Sequence, residues 1–280
     1  MECAPLGVRA PPLAHVSYTE SLLWEVRKLK QPPSFLFGTI HLAGSAVGQP
    51  TSAITKALSA STQFGMEVVL DEGALSEVAQ RMRNDHGQRL SRVIGDDLFQ
   101  RTASLLTNYG VSHELAEQLK PWAAYTTLSL PIGFAGSPLD LVLLGIAQAA
   151  HKKIFGLESI AEQSAAFEQV ALADQIALLT EVVCHHARLQ LTTTALIAAY
   201  AHGNLAALYR IAQETTSPAQ EKLMEHLLRA RNQRMVQRLK TPLAEGRAFI
   251  ALGALHLPGP QGVLALLVAD GWQVRPLASR

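Results

Sequence analysis

Two stretches far apart in the chain end in the same way. Residues 34–44 read SFLFGTIHLAG and residues 248–259 read AFIALGALHLPG. Each is an apolar run followed by Gly-x-x-His-Leu and a glycine-containing turn, which leaves His41 and His256 at the ends of buried strands. Two further runs, TQFGMEVVL and KIFGLE, bring Glu67 and Glu158 to comparable positions. In an open parallel sheet the carboxyl ends of the strands line the ligand crevice, so residues distant in sequence converge there. Two imidazoles and two carboxylates are donor types suited to Zn, Mn, Co or Fe(II). Gly38 and Gly253, which open the two Gly-x-x-His motifs, allow close backbone approach or unusual dihedrals.

Each residue also has a plain structural reading. A strand-end histidine is more often packed than ligating, and only the repeated context favours a site. Glu67 stands among Phe64, Met66, Val68 and Val69, where an unpaired charge is costly, so it lies at an edge or has a function. Glu158 sits at a helix start and is accommodated there by the dipole alone. Arg231 and Asn232 fall inside the apolar stripe of a helix over 217–240, between Leu227 or Leu228 and Met235 or Val236, and so face inward. A buried guanidinium needs an anion. It either bridges to a structural glutamate or is aimed at a site anion or a developing oxyanion. Asp140 is explained by capping, with Ser137 as N-cap and Pro138 at the first helical position, or else it supports the site or meets substrate. His185 and His186 are adjacent and point to different helix faces. The remaining histidines read as loop or surface residues. There is no G-x-S-x-G, Walker, G-x-G-x-x-G or H-E-x-x-H motif.

The elements that must position these residues alternate. Strands are expected over 21–29, 34–41, 62–70, 153–158, 247–256 and 272–277, with KQPP turning the first two into a hairpin. Helices follow His41, Glu158 and His256, and Ser159 with Glu162 forms a capping box. This order predicts an α/β fold: a mixed, largely parallel sheet flanked by helices on both faces, with large helical insertions over 72–135 and 160–242. One domain over 21–280 is expected, with a poorly ordered segment over 1–20.

Composition narrows the partners. Of 280 residues, 48% are hydrophobic and 17% charged, the balance of a globular chain. The formal net charge is +1, and the basic run RARNQRMVQRLK is diluted on a helix, so no nucleic-acid partner is expected. No apolar run reaches the roughly 18 residues of a membrane span. Two cysteines, Cys3 and Cys184, are too few for a disulfide scaffold, and a single bridge between them is left open. Residues 1–16 lack the apolar core of a signal peptide and read as a mature N-terminus.

Taken together, the blocks LLWEV…SFLFGTIHLA, GMEVVLD, LKPWAAYTTLSL, SPLDLVLLGIAQAAHKKIFGLESIAEQ, RARNQRM and FIALGALHLPGPQGVLALLVADGWQVRPL resemble the TraB/PrgY/GumN family. The resemblance runs from about Leu22 to Leu277. Ser159 stands where the family more often has Thr, and Val69 where an acidic residue follows the glutamate. The resemblance implies a metal-dependent hydrolase built on the paired Gly-x-x-His motifs and a strand-borne glutamate. Peptide cleavage is attributed to its Tiki branch. The fold is also similar to erythromycin-esterase-like and haem-uptake ChaN-like proteins. Bacterial relatives are often exported, so a periplasmic mature form is expected, with a cytoplasmic one left open.

The leading expectation is therefore hydrolysis of a peptide bond or an ester in a peptide or small-molecule substrate. His41, His256 and Glu67 would bind a divalent ion (Mn, Co or Zn). Glu67, Glu158, Arg231 and Asn232 would take part in catalysis, with ligand and base undivided between the two glutamates. Asp140, Gly38 and Gly253 would support the site or contact substrate. The rival is a non-catalytic module that captures a peptide or haem-like ligand in the same pocket. The helical insertions would serve as a lid or mediate a homodimer.

Overall fold

The structure, a computed structural model, describes Cys3, Pro5, Gly7, Val47 and residues 16–41, 49–69, 71–84, 87–133, 137–213 and 217–279. Most of the 1–20 segment and the turn after His41 lie outside the described residues.

Six strands form one mixed sheet. They are β1 (Leu23–Arg27), β2 (Ser34–Thr39), β3 (Gln63–Met66), β4 (Lys153–Gly156), β5 (Ala248–Gly253) and β6 (Gln273–Leu277), arranged β4-β3-β5-β2-β1-β6. β4, β3, β5 and β2 run parallel, and β1 is antiparallel to both β2 and β6. Every residue of β2 and β5 is buried, which explains why both read as unbroken apolar runs: helices cover both faces of the sheet's centre. All six expected strands form, and all but β6 stop short of their expected ends. His41, Glu67 and Glu158 lie in bends just past the strands and His256 in a 3-10 turn, where polar side chains can turn away from the ladder. The edge strand β6 carries Pro276, as an edge tolerates.

The helical stretches follow from local signals. Thr51 caps Ser52–Ser59 by accepting from the Ile54 amide. Ser159 and Glu162 form the expected reciprocal box at the start of Ile160–Glu168. Glu162 also accepts from Arg238, and these bonds hold its carboxyl down at about 2. A carboxyl depressed on folding stabilises above its ordinary value of 4.5, and that contribution is lost as pH falls towards about 2. Glu162→Gln should therefore flatten the acid limb of a stability-against-pH curve in that window and change little at pH 7 beyond the cap itself. An unchanged acid limb would sink this account.

Two features differ from the expectation. The helix Leu139–Ala149 starts after Pro138, which is itself the N-cap, so Ser137 caps nothing and Asp140 is freed for a tertiary role. The helix over 217–240 is interrupted. Pro218–Met224 passes into a π-helical turn, Glu225–Ala230, before Arg231–Glu245 resumes the α form. Single π turns recur at functional sites because the extra residue redirects the side chains around them. Here the redirected residues include Leu227 and Leu228, just before Arg231.

Cys3 and Cys184 are disulfide-bonded, and no free cysteine exists among the described residues. The bridge closes a loop with a sequence separation of 181, tying the N-terminal segment to the end of the helix Leu172–Cys184. The unreduced, denatured protein should show no reactive thiol, and reduction should release two per chain. Chain entropy puts the ceiling on the resulting loss of stability at roughly 5 kcal/mol. Two free thiols before reduction would remove the bridge from the account.

Candidate functional site

The site lies at the carboxyl ends of β2, β3 and β5, where the parallel sheet opens. The two Gly-x-x-His motifs lie side by side on β2 and β5, offset by one residue: Gly38 pairs with Leu252, and Thr39 with Gly253. Their glycines do different work. A Cβ on Gly38 would come within 2.9 Å of Leu257 Cδ1 and 3.0 Å of Ala254 Cα, so this glycine lets β2 pack against the turn that carries His256. A Cβ on Gly253 would stand 3.1 Å from His41 Nε2, 3.2 Å from Glu67 Oε1 and 3.4 Å from His256 Cδ2. The bare glycine thus keeps open a small cradle bounded by both imidazoles and the carboxylate.

Glu67 is the hub. Its Oε1 accepts from the Gly253 amide at 2.7 Å and lies 3.5 Å from His41 Nε2 and 3.6 Å from His256 Nε2. Its Oε2 accepts from Arg231 at 2.5 Å and from the Gln163 amide at 3.3 Å. Burial pushes the Glu67 carboxyl up, but His256, His41 and Arg231 outweigh it and hold the group well below its usual range.

The two histidines are held by partners at their other nitrogens. Asn232 donates its amide to the Gln261 carbonyl, so its Oδ1 faces His256 Nδ1 at 2.6 Å and requires a proton there. Burial and the neighbouring Arg231 and His41 push His256 down to about 4, with Glu67 opposing, so near neutral pH the ring is uncharged. Its Nε2 then turns a lone pair towards Glu67. His41 Nδ1 meets Asp140 Oδ2 at 3.2 Å, while Thr39 donates to Asp140 Oδ1 at 2.6 Å. The His41 side chain is 56% exposed; the protein atoms crowded around the ring push it down, but the Asp140 and Glu67 carboxylates outweigh this and raise it above its ordinary value. The same arrangement, an imidazole backed at one nitrogen by an oxygen, orients metal-ligating histidines.

Among the described residues no three His, Cys, Asp or Glu side chains stand as a ready-made coordination cluster. The donor chemistry nevertheless fits a divalent cation. A neutral imidazole lone pair and a carboxylate oxygen repel each other unless positive charge lies between them. The cradle beside Gly253 sits against both imidazoles and that oxygen. A raised His41 meets the same need with a proton.

Arg231 and Glu158 lie behind this front. Glu158 Oε2 accepts from Arg231 Nε at 2.9 Å and Nη2 at 2.7 Å, and its Oε1 accepts from Arg234 at 3.1 Å. Arg231 Nη1 donates to the Leu227 carbonyl, so the guanidinium is committed to two carboxylates and a backbone oxygen. Glu158 does not line the cavity, whereas Arg231 does. Of the residues singled out from sequence, His41, Glu67, Asp140, Arg231, Gly253 and His256 meet in a cavity of about 700 Å³. Asn232, Glu158 and Gly38 stand behind its wall. Sequence reasoning passed over Thr39 and Gln163, although Gln163 follows the Glu162 of the capping box and so lies on a positioned first helical turn.

A parallel-sheet crevice holding two backed imidazoles and a carboxylate just past a strand end defines an α/β protein with a candidate site at the open end of its sheet. The chain belongs to the TraB/PrgY/gumN family, whose pattern matches residues 22–276. It is similar to "Metalloprotease TIKI2" of Danio rerio, 25% identical over 315 aligned residues covering 91% of this chain and 60% of that protein. It is equally similar to "Metalloprotease TIKI1" of Homo sapiens, 25% identical over 92% of this chain and 62% of that protein. The chain thus spans about three-fifths of the length of these curated relatives. No solved structure matches it. No helix among the described residues is long and apolar enough to cross a membrane.

Proposed function

We propose that the chain is a metal-dependent hydrolase that cleaves a peptide bond, with a divalent ion (Mn, Co or Zn) held by His41, His256 and Glu67. The observation that carries this reading is the convergence of His41 Nε2, His256 Nε2 and Glu67 Oε1 on the cradle at Gly253. The metalloprotease names of the relatives point the same way. When bound, the cation supplies Lewis-acid polarisation of the scissile carbonyl and a lowered pKa for water. The chain's own residues do the rest. Asn232 and Asp140 keep both imidazoles turned so that Nε2 faces the cradle. Arg231 holds Glu67 in place and, together with the two imidazoles, keeps it ionised, and Glu158 anchors Arg231. Glu67, the one carboxylate facing both imidazoles, carries the carboxylate's part in the reaction. The disulfide supports an oxidising, extracytoplasmic compartment such as the periplasm.

A second reading is favoured by one observation: both oxygens of Glu67 are already engaged by donors, as in a rigid binding module. The test is metal content after purification without chelator, followed by peptide and ester hydrolysis with added Mn, Co or Zn. Gly253→Ala serves as the control. Gly253 has φ −53° and ψ 131°, so any residue fits the backbone, and the new methyl would fill only the cradle. Metal content should fall at least about tenfold with the thermal midpoint nearly kept. Metal retained without turnover on peptides or esters would favour the binding module. Metal retained by Gly253→Ala would sink the cradle as its site.

A further inference from the structure

The cavity above the site has a polar floor and an apolar wall. Leu141, Leu196, Leu208, Met224, Leu227 and Leu228 line it, drawn from four helices and the π turn. All but Leu208 are only partly buried, so their faces are left for an occupant. Among the described residues, the polar side chains of the lining outside the site are Ser129, Gln163 and Thr193, and of these only Thr193 has no partner. Ser129 donates to the Tyr125 carbonyl, Thr39 to Asp140, and Gln163 to Glu67. Among the described residues of the lining, Arg231 is the only cation besides the histidines, and it is committed to Glu67, Glu158 and Leu227.

An extended peptide segment lying against this wall would bury one N–H and one C=O per residue, with the Thr193 hydroxyl the one unpartnered side chain among the described residues to receive them, at about 1–3 kcal/mol for each unmet group. A hydrocarbon chain has no such requirement. We infer that the wall binds a linear acyl chain, so that the bond presented to His41, Glu67 and His256 is the amide or ester joining that chain to a polar head. The placement of the scissile bond rests on the hydrolase reading; the binding of the chain does not.

The experiment separates the two. Calorimetry on the metal-stripped full-length protein would titrate 1-hexanol, 1-octanol and 1-decanol. Affinity should rise about fourfold for each added CH₂, the factor set by roughly 0.8 kcal/mol per buried methylene. Leu196→Glu should weaken 1-decanol binding at least tenfold. Leu228→Glu, on a different element, guards against one variant misfolding, with circular dichroism as the check on both. A flat chain-length series would overturn the proposal. So would tighter binding of an end-blocked leucine-rich octapeptide than of 1-decanol. Acyl-chain binding with no hydrolysis of p-nitrophenyl decanoate, an N-decanoyl amide or any of the peptides and esters by the metal-loaded protein would keep the chain site and sink the hydrolase reading. Hydrolysis of acetyl and decanoyl esters at equal kcat/KM would sink this inference and keep the hydrolase reading.

Discussion

Glu67→Gln is expected to lower hydrolytic turnover by about 10²–10⁴-fold, the range for removing a positioned acid–base or charge-stabilising group. The geometry makes this more than a charge change. Oε1 accepts from the Gly253 amide and Oε2 from Arg231 and Gln163, so both ends of the carboxylate meet donors. A glutamine must turn its NH₂ towards one set of them, whichever way the amide is flipped. One buried donor is then left without an acceptor, which costs about 1–3 kcal/mol. The neutral side chain also offers His41 and His256 no counter-charge, so metal content should fall with activity. Three readouts separate the effects: turnover with excess Mn, Co or Zn, metal content, and the urea midpoint. Turnover within tenfold of the parent protein would remove Glu67 from the chemistry. A stability loss without a loss of turnover would make it purely structural.

How legible this arrangement is depends on how far each residue's partners lie along the chain. The strands are plain because β2 and β5 are buried on both faces and so must be written as continuous apolar runs. Their ends are less plain. His41 and Glu67 follow apolar residues directly, and the alphabet does not mark where a ladder stops and a bend begins. The bridge between Arg231 and Glu158 is foreshadowed by an arginine inside an apolar stripe, which can survive only beside an anion. That Glu67 shares the same guanidinium is not foreshadowed, because nothing local links positions separated by 164 residues. Asp140 shows the opposite failure. Pro138 and the start of a helix give it a complete local explanation, yet its partners Thr39 and His41 lie 101 and 99 residues away. The π turn is hidden for another reason: apolar periodicity fits α-helical spacing to whatever it meets, and one extra residue per turn leaves no mark in composition. The unequal roles of the two glycines are likewise a matter of what each faces across the sheet, which identical Gly-x-x-His motifs cannot express.

Arg231→Met should lower the free energy of unfolding by about 3–5 kcal/mol at neutral pH, the cost of removing one partner from a buried ion pair. Arg231, Glu67 and Glu158 are all buried, and the guanidinium supplies donors to both carboxylates. Methionine fills much of the volume but leaves two buried carboxylates facing each other's field. The pH dependence distinguishes this from lost packing. In the parent protein Glu67 is held below its usual range, so its contribution is present above the ordinary carboxylate pKa and fades as pH falls through the lower folded value. Without Arg231, only His256 and His41 oppose the burial of Glu67, so its carboxyl rises from its depressed value. The closer it comes to the ordinary carboxylate range, the less stability it contributes above that range. The gap between variant and parent should therefore be widest near pH 7 and shrink towards pH 4. Arg231→Lys should fall between the two, since it keeps the charge but not the fork that reaches both acceptors. The double variant Arg231→Met with Glu158→Gln should recover part of the loss, with a coupling of about 0.5–3 kcal/mol. A loss below about 1 kcal/mol would mean that neither carboxylate depends on this guanidinium. A loss unchanged between pH 7 and pH 4 would assign it to packing. In either case Arg231 would no longer be counted with His256 and His41 among the groups that keep Glu67 ionised.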